Sequence, residues 1–263
     1  MRQWTRQPDF IRLIYSYRFW LSIAGVTAVV MGSNLTEIEQ QWQFLTVDTV
    51  MDNFLYGGWY RNLVFVVAAV PFARSYCQDT VHRFRDAMVQ KMGIFRYAWS
   101  KVCHTAFSAF VVAFTGLLLS ALLFSVSFDP CYYEKFGEMN YTYPYGMLAA
   151  SGNTVLYVVV RSILFSMGAA FWSTFTLVAS TWDPEPLTIL AVPFIGSYIE
   201  ERFLFFIPTW MQIAGCVRGE EMIPAGIAAN FFYGICFMLL LIVLLGILFY
   251  YRVRRSVYGE GVF

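Results

Sequence analysis

The chain has 263 residues, of which 59% are hydrophobic and only 13% are charged, and its formal net charge is +1. A soluble globular domain carries about 25% charged residues. The mean hydropathy of +0.56 points the same way. The composition therefore excludes a soluble globular protein and predicts an all-α integral membrane protein.

The apolar segments predict six transmembrane helices in a single transmembrane domain that covers residues 1–263. Segments 102–128, 162–182 and 222–251 contain no Asp, Glu, Lys or Arg, and each is long enough for the roughly 20 residues that cross a hydrocarbon core. Three weaker segments complete the set: the first is short, the second contains Arg61, and the fifth contains three charged residues. The predicted spans are 19–35, 56–73, 102–126, 154–182, 187–208 and 227–251.

The basic residues predict the orientation, because Lys and Arg in short loops remain on the cytoplasmic side. Thirteen of them fall in the N-terminal segment, in the loop between spans two and three, and in the C-terminal tail. The loops on the opposite side hold only Lys135 and Arg218 against nine acidic residues, among them Asp48 and Asp52. Both termini are therefore expected in the cytoplasm.

The residues before the first span alternate cationic and apolar side chains. Phe10, Leu13, Ile14 and Tyr17 recur at helical spacing, which predicts an amphipathic N-terminal interfacial helix in the headgroup region. A disordered tail that carries positive-inside arginines is the alternative. The four arginines and the missing cleavage site argue against a cleavable signal peptide.

The loop between spans two and three contains a predicted cytoplasmic amphipathic helix over residues 79–92. Asp79 is expected to cap its start and Gly93 to end it. An apolar stripe at intervals of three and four residues follows the helix; it consists of Val81, Phe84, Met88 and Met92. Because no soluble domain is present, this stripe must face lipid headgroups, other parts of the chain, or the groove of a partner.

A short motif follows this helix: residues 96–101 read Arg-Tyr-Ala-Trp-Ser-Lys and lead into the third span. With the six-span order, the tight turn at 181–186 and the short basic C-terminal tail, this loop resembles the membrane (permease) subunits of bacterial type-2 ABC exporters. Many members have a similar aromatic-x-x-Ser-Lys entry to the third span. Many also place a Glu and a Gly early in the loop, where this chain has Gln78, Asp79 and Thr80.

The resemblance implies that the 79–92 helix is a coupling helix that docks onto a separate ABC ATPase subunit dimer. The coupling residues would be Asp79, Val81, Phe84, Arg85, Met88 and Met92. It also implies a second membrane subunit, in a homo- or heterodimer, and multi-pass placement in a bacterial cell membrane with export along the dimer interface. The sequence has no GxxxxGK[ST] loop, so ATP and Mg²⁺ are expected on the ATPase. We expect no catalytic, cofactor or metal site in this chain and no nucleic acid partner.

Three ionisable residues lie well inside the predicted spans. Arg161 is about eight residues into span four, and Glu200 and Glu201 are about eight residues from the end of span five, so each is roughly 12 Å deep. Ionisable groups at that depth usually pair with one another or face a water-filled cavity. We therefore expect Arg161 to pair with Glu200 or Glu201. The alternative is that span five ends near Ile199 and that residues 203–217 re-enter the membrane.

Two cysteines, Cys131 and Cys216, fall in different predicted external loops. An oxidising compartment would allow a disulfide between them. Two unpaired cysteines are the alternative.

Three other functions compete with export. A non-transporting membrane partner, such as an immunity or sensor subunit that recruits a soluble protein, also explains the amphipathic loop. An intramembrane protease with an EExxxR motif is disfavoured, because Phe205 stands four residues after Glu201. A secondary transporter should show internal repeats, and the sequence has none. The chain is therefore expected to be a non-catalytic subunit.

Overall fold

The computed structural model describes residues 16–73, 75–81, 84–130, 145–183, 185–203 and 206–259. Within these ranges the chain is helical, and no β-strand occurs in them. The helices are α1 (Tyr17–Ser33), α2 (Leu35–Gln41), α3 (Val47–Tyr56), α4 (Trp59–Ala69), α5 (Ser75–Val81), α6 (Phe84–Met92), α7 (Ile94–Ser125), α8 (Gly146–Ala150), α9 (Thr154–Ala179), α10 (Pro186–Phe203), α11 (Ile213–Arg218) and α12 (Ile227–Gly259). Short 3₁₀ segments lie at Trp42–Phe44 and Thr209–Met211.

In the part of the chain that the structure describes, four helical segments are long and apolar enough to cross a membrane: Tyr17–Gln40, α7, α9 and α12. The chain is therefore an all-α membrane protein, as its composition predicts. The predicted second and fifth spans correspond to shorter helices, because α4 has 11 residues and α10 has 18. The predicted N-terminal interfacial helix lies outside the described residues except for Tyr17, which begins α1.

Helix α9 is the centre of the helix bundle. It packs against α4, α7, α10, α11 and α12. Of the 18 residues that form its apolar stretch, 78% are buried, against 22% for the corresponding stretch of α12 at the periphery. Close approach depends on small residues, as is usual where helices associate inside a membrane. At Gly168 a Cβ atom would collide with the side chain of Val217 on α11.

Helices α1 and α7 cross closely at Gly116. A Cβ atom on Gly116 would lie 2.5 Å from Cγ1 of Val26, and Thr27 Oγ1 donates a hydrogen bond to the Gly116 carbonyl oxygen at 3.2 Å. Close packing and interhelical hydrogen bonds are the main forces that join helices in lipid. The crossing therefore fixes α1 against the middle of α7.

The acidic segment after α1 folds into α2 and α3 rather than remaining an extended loop. Thr46 and Thr49 form a capping box at the start of α3. Gly57 and Gly58 separate α3 from α4, and Gly58 has a φ of +68°, a conformation that glycine adopts without steric cost. This turn sets α3 against α9 and brings Asp52 towards the interior of the bundle.

Candidate functional site

The helix predicted over residues 79–92 corresponds to two helical stretches among the described residues, α5 and α6. Helix α5 begins at Ser75, four residues before Asp79, and α6 begins at Phe84; the residues between them lie outside the described part of the chain. Gly93 follows α6 with a φ of +82°. The predicted glycine stop is therefore confirmed, whereas the predicted start at Asp79 is wrong because Asp79 lies inside α5.

Asp79 attaches α5 to the beginning of α7. Its Oδ2 lies 2.8 Å from Nζ of Lys101 and accepts a hydrogen bond from the Tyr97 hydroxyl at 2.9 Å. Both partners are buried, and Lys101 Nζ also lies 5.4 Å from the ring centroid of Phe72. Asp79 is thus the counter-ion of a buried lysine and not a helix cap.

Arg85 attaches α6 to the far end of α12. Its side chain is buried; Nη1 donates to Ser256 Oγ at 2.9 Å, and Nε donates to Asp86 Oδ1 at 2.9 Å. This predicted coupling residue therefore points towards the bundle. Any contact that a soluble partner makes with α6 must use other side chains.

The predicted apolar stripe is divided between the two sides of α6. Met88 and Met92 are partly buried against the hydrophobic core, whereas Phe84 is 61% exposed. The side chain of Val81 lies outside the described residues. Ala87 and Lys91 are exposed like Phe84, and the spacing of three and four residues puts these three on one side of the helix. We call Phe84, Ala87 and Lys91 the outer face of α6.

A second cluster of charged residues surrounds Arg161 in α9, whose side chain is only 1% exposed. Its Nη2 lies 2.9 Å from Asp52 Oδ1, and its Nη1 donates to the carbonyl oxygen of Arg218. The rings of Tyr56 and Tyr157 lie 5.8 and 5.7 Å from the guanidinium carbon. The ion-pair partner of Arg161 is therefore an acid of α3 that the sequence places in an external loop.

Glu201 in α10 is paired with two other arginines. Arg61 of α4 donates to Glu201 Oε2, and Arg218 of α11 donates to Oε1. Arg61 is buried and also donates to the Leu55 carbonyl oxygen at 2.7 Å. Arg61 thus joins α3, α4 and α10.

The predicted pairing of Arg161 with Glu200 or Glu201 is wrong. Asp52 occupies the place next to Arg161, while Glu201 binds the two arginines of α4 and α11. Glu200 accepts a hydrogen bond from the backbone N–H of Ala214 at 3.1 Å. The depth of these groups along the predicted spans therefore does not identify their partners.

Arg218 links the two ion pairs into one arrangement. Its carbonyl oxygen accepts hydrogen bonds from Arg161 and from the Tyr56 hydroxyl, the latter at 3.2 Å. Its guanidinium contacts Glu201 and also lies 3.2 Å from Glu220. We call Asp52, Arg61, Arg161, Glu201 and Arg218 the arginine network. It joins five helices (α3, α4, α9, α10 and α11), and two of its charged side chains, Arg61 and Arg161, are buried.

Gly219 allows the backbone to turn directly beside the arginine network. Its φ is +64°, in the left-handed region. A Cβ atom at this position would collide with Nη1 of Arg161 and lie 2.9 Å from the ring of Tyr145. The position therefore requires glycine for two reasons, backbone conformation and space.

Helix α10 continues through Ile199 and the two glutamates to Phe203, so it does not end near Ile199. Pro193 lies inside it, and Ser197 Oγ donates to the Pro193 carbonyl oxygen at 2.7 Å. After α10, the 3₁₀ segment and α11 lead the chain back against α9.

Cys216 in α11 is a free, buried cysteine. Burial raises the pKa of its thiol to about 12, so the thiol is protonated at neutral pH. Its sulfur packs against Gly234 of α12, where a Cβ atom would lie 2.9 Å from Sγ. Cys216 therefore acts as a packing residue in this structure, and Cys131 lies outside the described residues.

Comparisons with known proteins give no match for this chain among family models, curated proteins or solved structures. Within the described ranges, no group of three or more His, Cys, Asp and Glu side chains is arranged to hold a metal ion. The two helix-joining sites are therefore the features from which a function can be inferred.

Proposed function

We propose that this chain is the membrane-spanning subunit of an ATP-driven exporter of the type-2 ABC class, located in a bacterial cell membrane. In this proposal α6 docks a separate ATPase subunit, which binds ATP and Mg²⁺. A second membrane subunit, identical or related, completes the substrate path. The chain itself carries out no catalytic step.

The proposed topology has six spans. Helices α4 and α10 act as spans two and five, and both termini lie in the cytoplasm together with α5 and α6. Two observations support this arrangement. The thirteen basic residues of the termini and of the loop before α7 would then lie on one side of the membrane. Helices α4 and α10 also pack directly against α9, the central helix of the bundle.

The observation that carries the proposal is the double attachment of α5 and α6. Asp79 fixes α5 to α7 through Lys101, and Arg85 fixes α6 to α12 through Ser256. Buried ion pairs are a weak source of net stability, because desolvation offsets most of the attraction. A loop that only connects two spans therefore gains little from a buried ion pair. A displacement applied to the outer face of α6, however, reaches two membrane helices through these attachments.

Site-specific cross-linking tests the proposal. A photoreactive amino acid at Phe84, in native membranes, should give an adduct that mass spectrometry identifies as an ABC ATPase. The same amino acid at Val155, which is exposed at the other end of the bundle, should not. The captured ATPase should hydrolyse ATP at a rate that depends on this chain.

A matched pair of variants completes the test. Phe84→Asp should abolish co-purification of the ATPase at unchanged membrane insertion, whereas Tyr258→Asp, an equally exposed aromatic at the end of α12, should not. An adduct with a soluble protein that has no nucleotide site would overturn the exporter proposal. It would favour the non-transporting partner instead.

A further inference from the structure

An open groove of about 480 Å³ lies between α1 and α4. A Cβ atom on Gly25 would lie 3.1 Å from Cγ1 of Val67, so the two helices meet at this point. Ala24 and Ala28 are exposed beside the contact. Because their side chains end at Cβ, they leave a channel along α1, and Val70 lines its opposite side.

One end of this groove carries a positive charge. Arg18, in the first turn of α1, lines the groove, and its guanidinium carbon lies 5.8 Å from the ring centroid of Tyr17. Tyr17 and Trp20 in the same turn are strongly exposed. Aromatic and arginine side chains at the end of a membrane helix mark the level of the lipid headgroups. The guanidinium therefore lies where a lipid phosphate would be.

The length of the groove matches one leaflet of a bilayer. Ten residues separate Arg18 from Ala28, which corresponds to about 15 Å of helix. A hydrocarbon core is roughly 30 Å thick, so one leaflet contributes about half of that. A lipid whose phosphate binds Arg18 would thus extend its acyl chain along the full groove.

A larger groove provides an internal comparison. It has a volume of about 760 Å³ and lies between α1, α7 and α9, but no charged residue lines it. It offers the same apolar surface without a partner for a headgroup. Of these two grooves, the smaller one combines a cation at one end with an apolar channel of leaflet length.

We propose that the α1–α4 groove is a binding site for one anionic phospholipid, with its phosphate on Arg18 and an acyl chain along Ala24 and Ala28. A guanidinium offers a phosphate two parallel N–H donors. The attraction between one basic residue near the membrane surface and anionic lipid corresponds to about fivefold in affinity.

Native mass spectrometry of the detergent-purified full chain, titrated with phosphatidylglycerol, tests this site. Arg18→Gln should weaken the first bound lipid about fivefold. Arg254→Gln is the matched control, since Arg254 also lies beside a tyrosine ring, at 5.9 Å from Tyr258, in the last turns of α12. It removes the same charge and should leave the first lipid bound.

Ala28→Phe tests the apolar half of the site. The larger side chain projects from an exposed position, so it fills the channel without entering the core, and binding of the first lipid should fall about tenfold. Glycerol phosphate, which has no acyl chain, should not displace the lipid.

The proposal fails if Arg18→Gln and Arg254→Gln weaken binding equally, because the lipid would then be attracted only by overall charge. It also fails if Ala28→Phe has no effect. Arg18→Lys serves where Arg18→Gln does not remain monodisperse. It keeps the charge but loses the paired donors, and should give an intermediate affinity.

Discussion

The arginine network and the α5–α6 attachment use the same chemistry and leave different surfaces exposed. In both, buried charges hold short helices against long ones. In the network, Arg161 and Arg218 are engaged with side chains and carbonyl groups of the same chain. In the attachment, Asp79 and Arg85 turn inward and leave Phe84 of α6 exposed. The buried charges at both places therefore connect helices of this chain, and the proposed docking surface is the face of α6 that these contacts leave exposed.

Removing the central cation of the network should give the largest effect. Arg161→Leu leaves Asp52 without its counter-ion; because the Asp52 side chain is 27% exposed and still accepts a hydrogen bond from the Tyr157 hydroxyl, the cost should be about 3 kcal/mol, the lower end for a broken buried pair. The free energy of unfolding, measured in mixed micelles, should fall by that amount, and the folded yield should fall with it. Arg202→Leu, at an exposed position in the last turn of α10, should change it by less than about 0.5 kcal/mol. Equal losses in the two variants would mean that the network does not stabilise the fold.

The glycine beside the network provides the next largest effect. Gly219→Ala requires a left-handed alanine, which costs about 1–2 kcal/mol, and also places a methyl group against Arg161. Gly226→Ala is the control, because Gly226 has a φ of +84° but open space around its Cβ position. We expect the Gly219 variant to be less stable than the Gly226 variant by about 1–3 kcal/mol. Equal unfolding free energies would show that the arginine moves away without cost.

The ion pair between Asp79 and Lys101 should contribute less to stability than the arginine network but more than a surface ion pair. Asp79→Asn keeps an acceptor for Tyr97 and removes the charge beside Lys101, which should cost about 2 kcal/mol. Asp86→Asn removes an acid that also pairs with a cation, Arg85, but is mostly exposed, and should cost at most about 1 kcal/mol. Thermal unfolding of both variants in one detergent measures the difference. A larger loss of stability for Asp86→Asn would contradict the conclusion that Asp79 holds α5 against α7.

The two sides of α6 should separate stability from partner binding. Met88→Asp places a charge at a side chain that is partly buried against the core and should lower the free energy of unfolding by about 1–2 kcal/mol. Phe84→Asp changes an exposed side chain and should lower it by less than about 0.5 kcal/mol, yet it should remove co-purification of the ATPase. The outer face of α6 is not the docking surface if Phe84→Asp retains the ATPase.

The long uncharged runs made much of the fold predictable. The predicted spans at 102–126, 154–182 and 227–251 correspond to α7, α9 and α12, because an apolar run of that length forms a helix in lipid whatever its neighbours are. Helix α7 begins eight residues before the predicted span, since the boundary of an apolar run does not mark the end of a helix that continues beyond the hydrocarbon core.

The partners inside the sites were less predictable. Depth along a span follows from the sequence, but the side of the helix that meets a neighbour does not. The sequence therefore pairs Arg161 with the glutamates of α10, whereas the turn at Gly57 and Gly58 brings Asp52 to it. The contacts of the apolar stripe on α6 are equally hard to predict, because the apolar periodicity is the same for a helix that packs on its own chain and for one that binds a partner.

Helix α7 has the geometry of a lever. Its 32 residues correspond to about 48 Å, and its close crossing with α1 at Gly116 provides a fulcrum. Lys101 lies fifteen residues before that point and Ser125 nine residues after it, which gives arms of about 22 and 14 Å. A rigid rod that pivots there moves the end of its short arm by only about three-fifths of the distance travelled by the end of its long arm, in the opposite direction. A displacement of α5 would thus produce a smaller displacement, in the opposite direction, at the other end of α7.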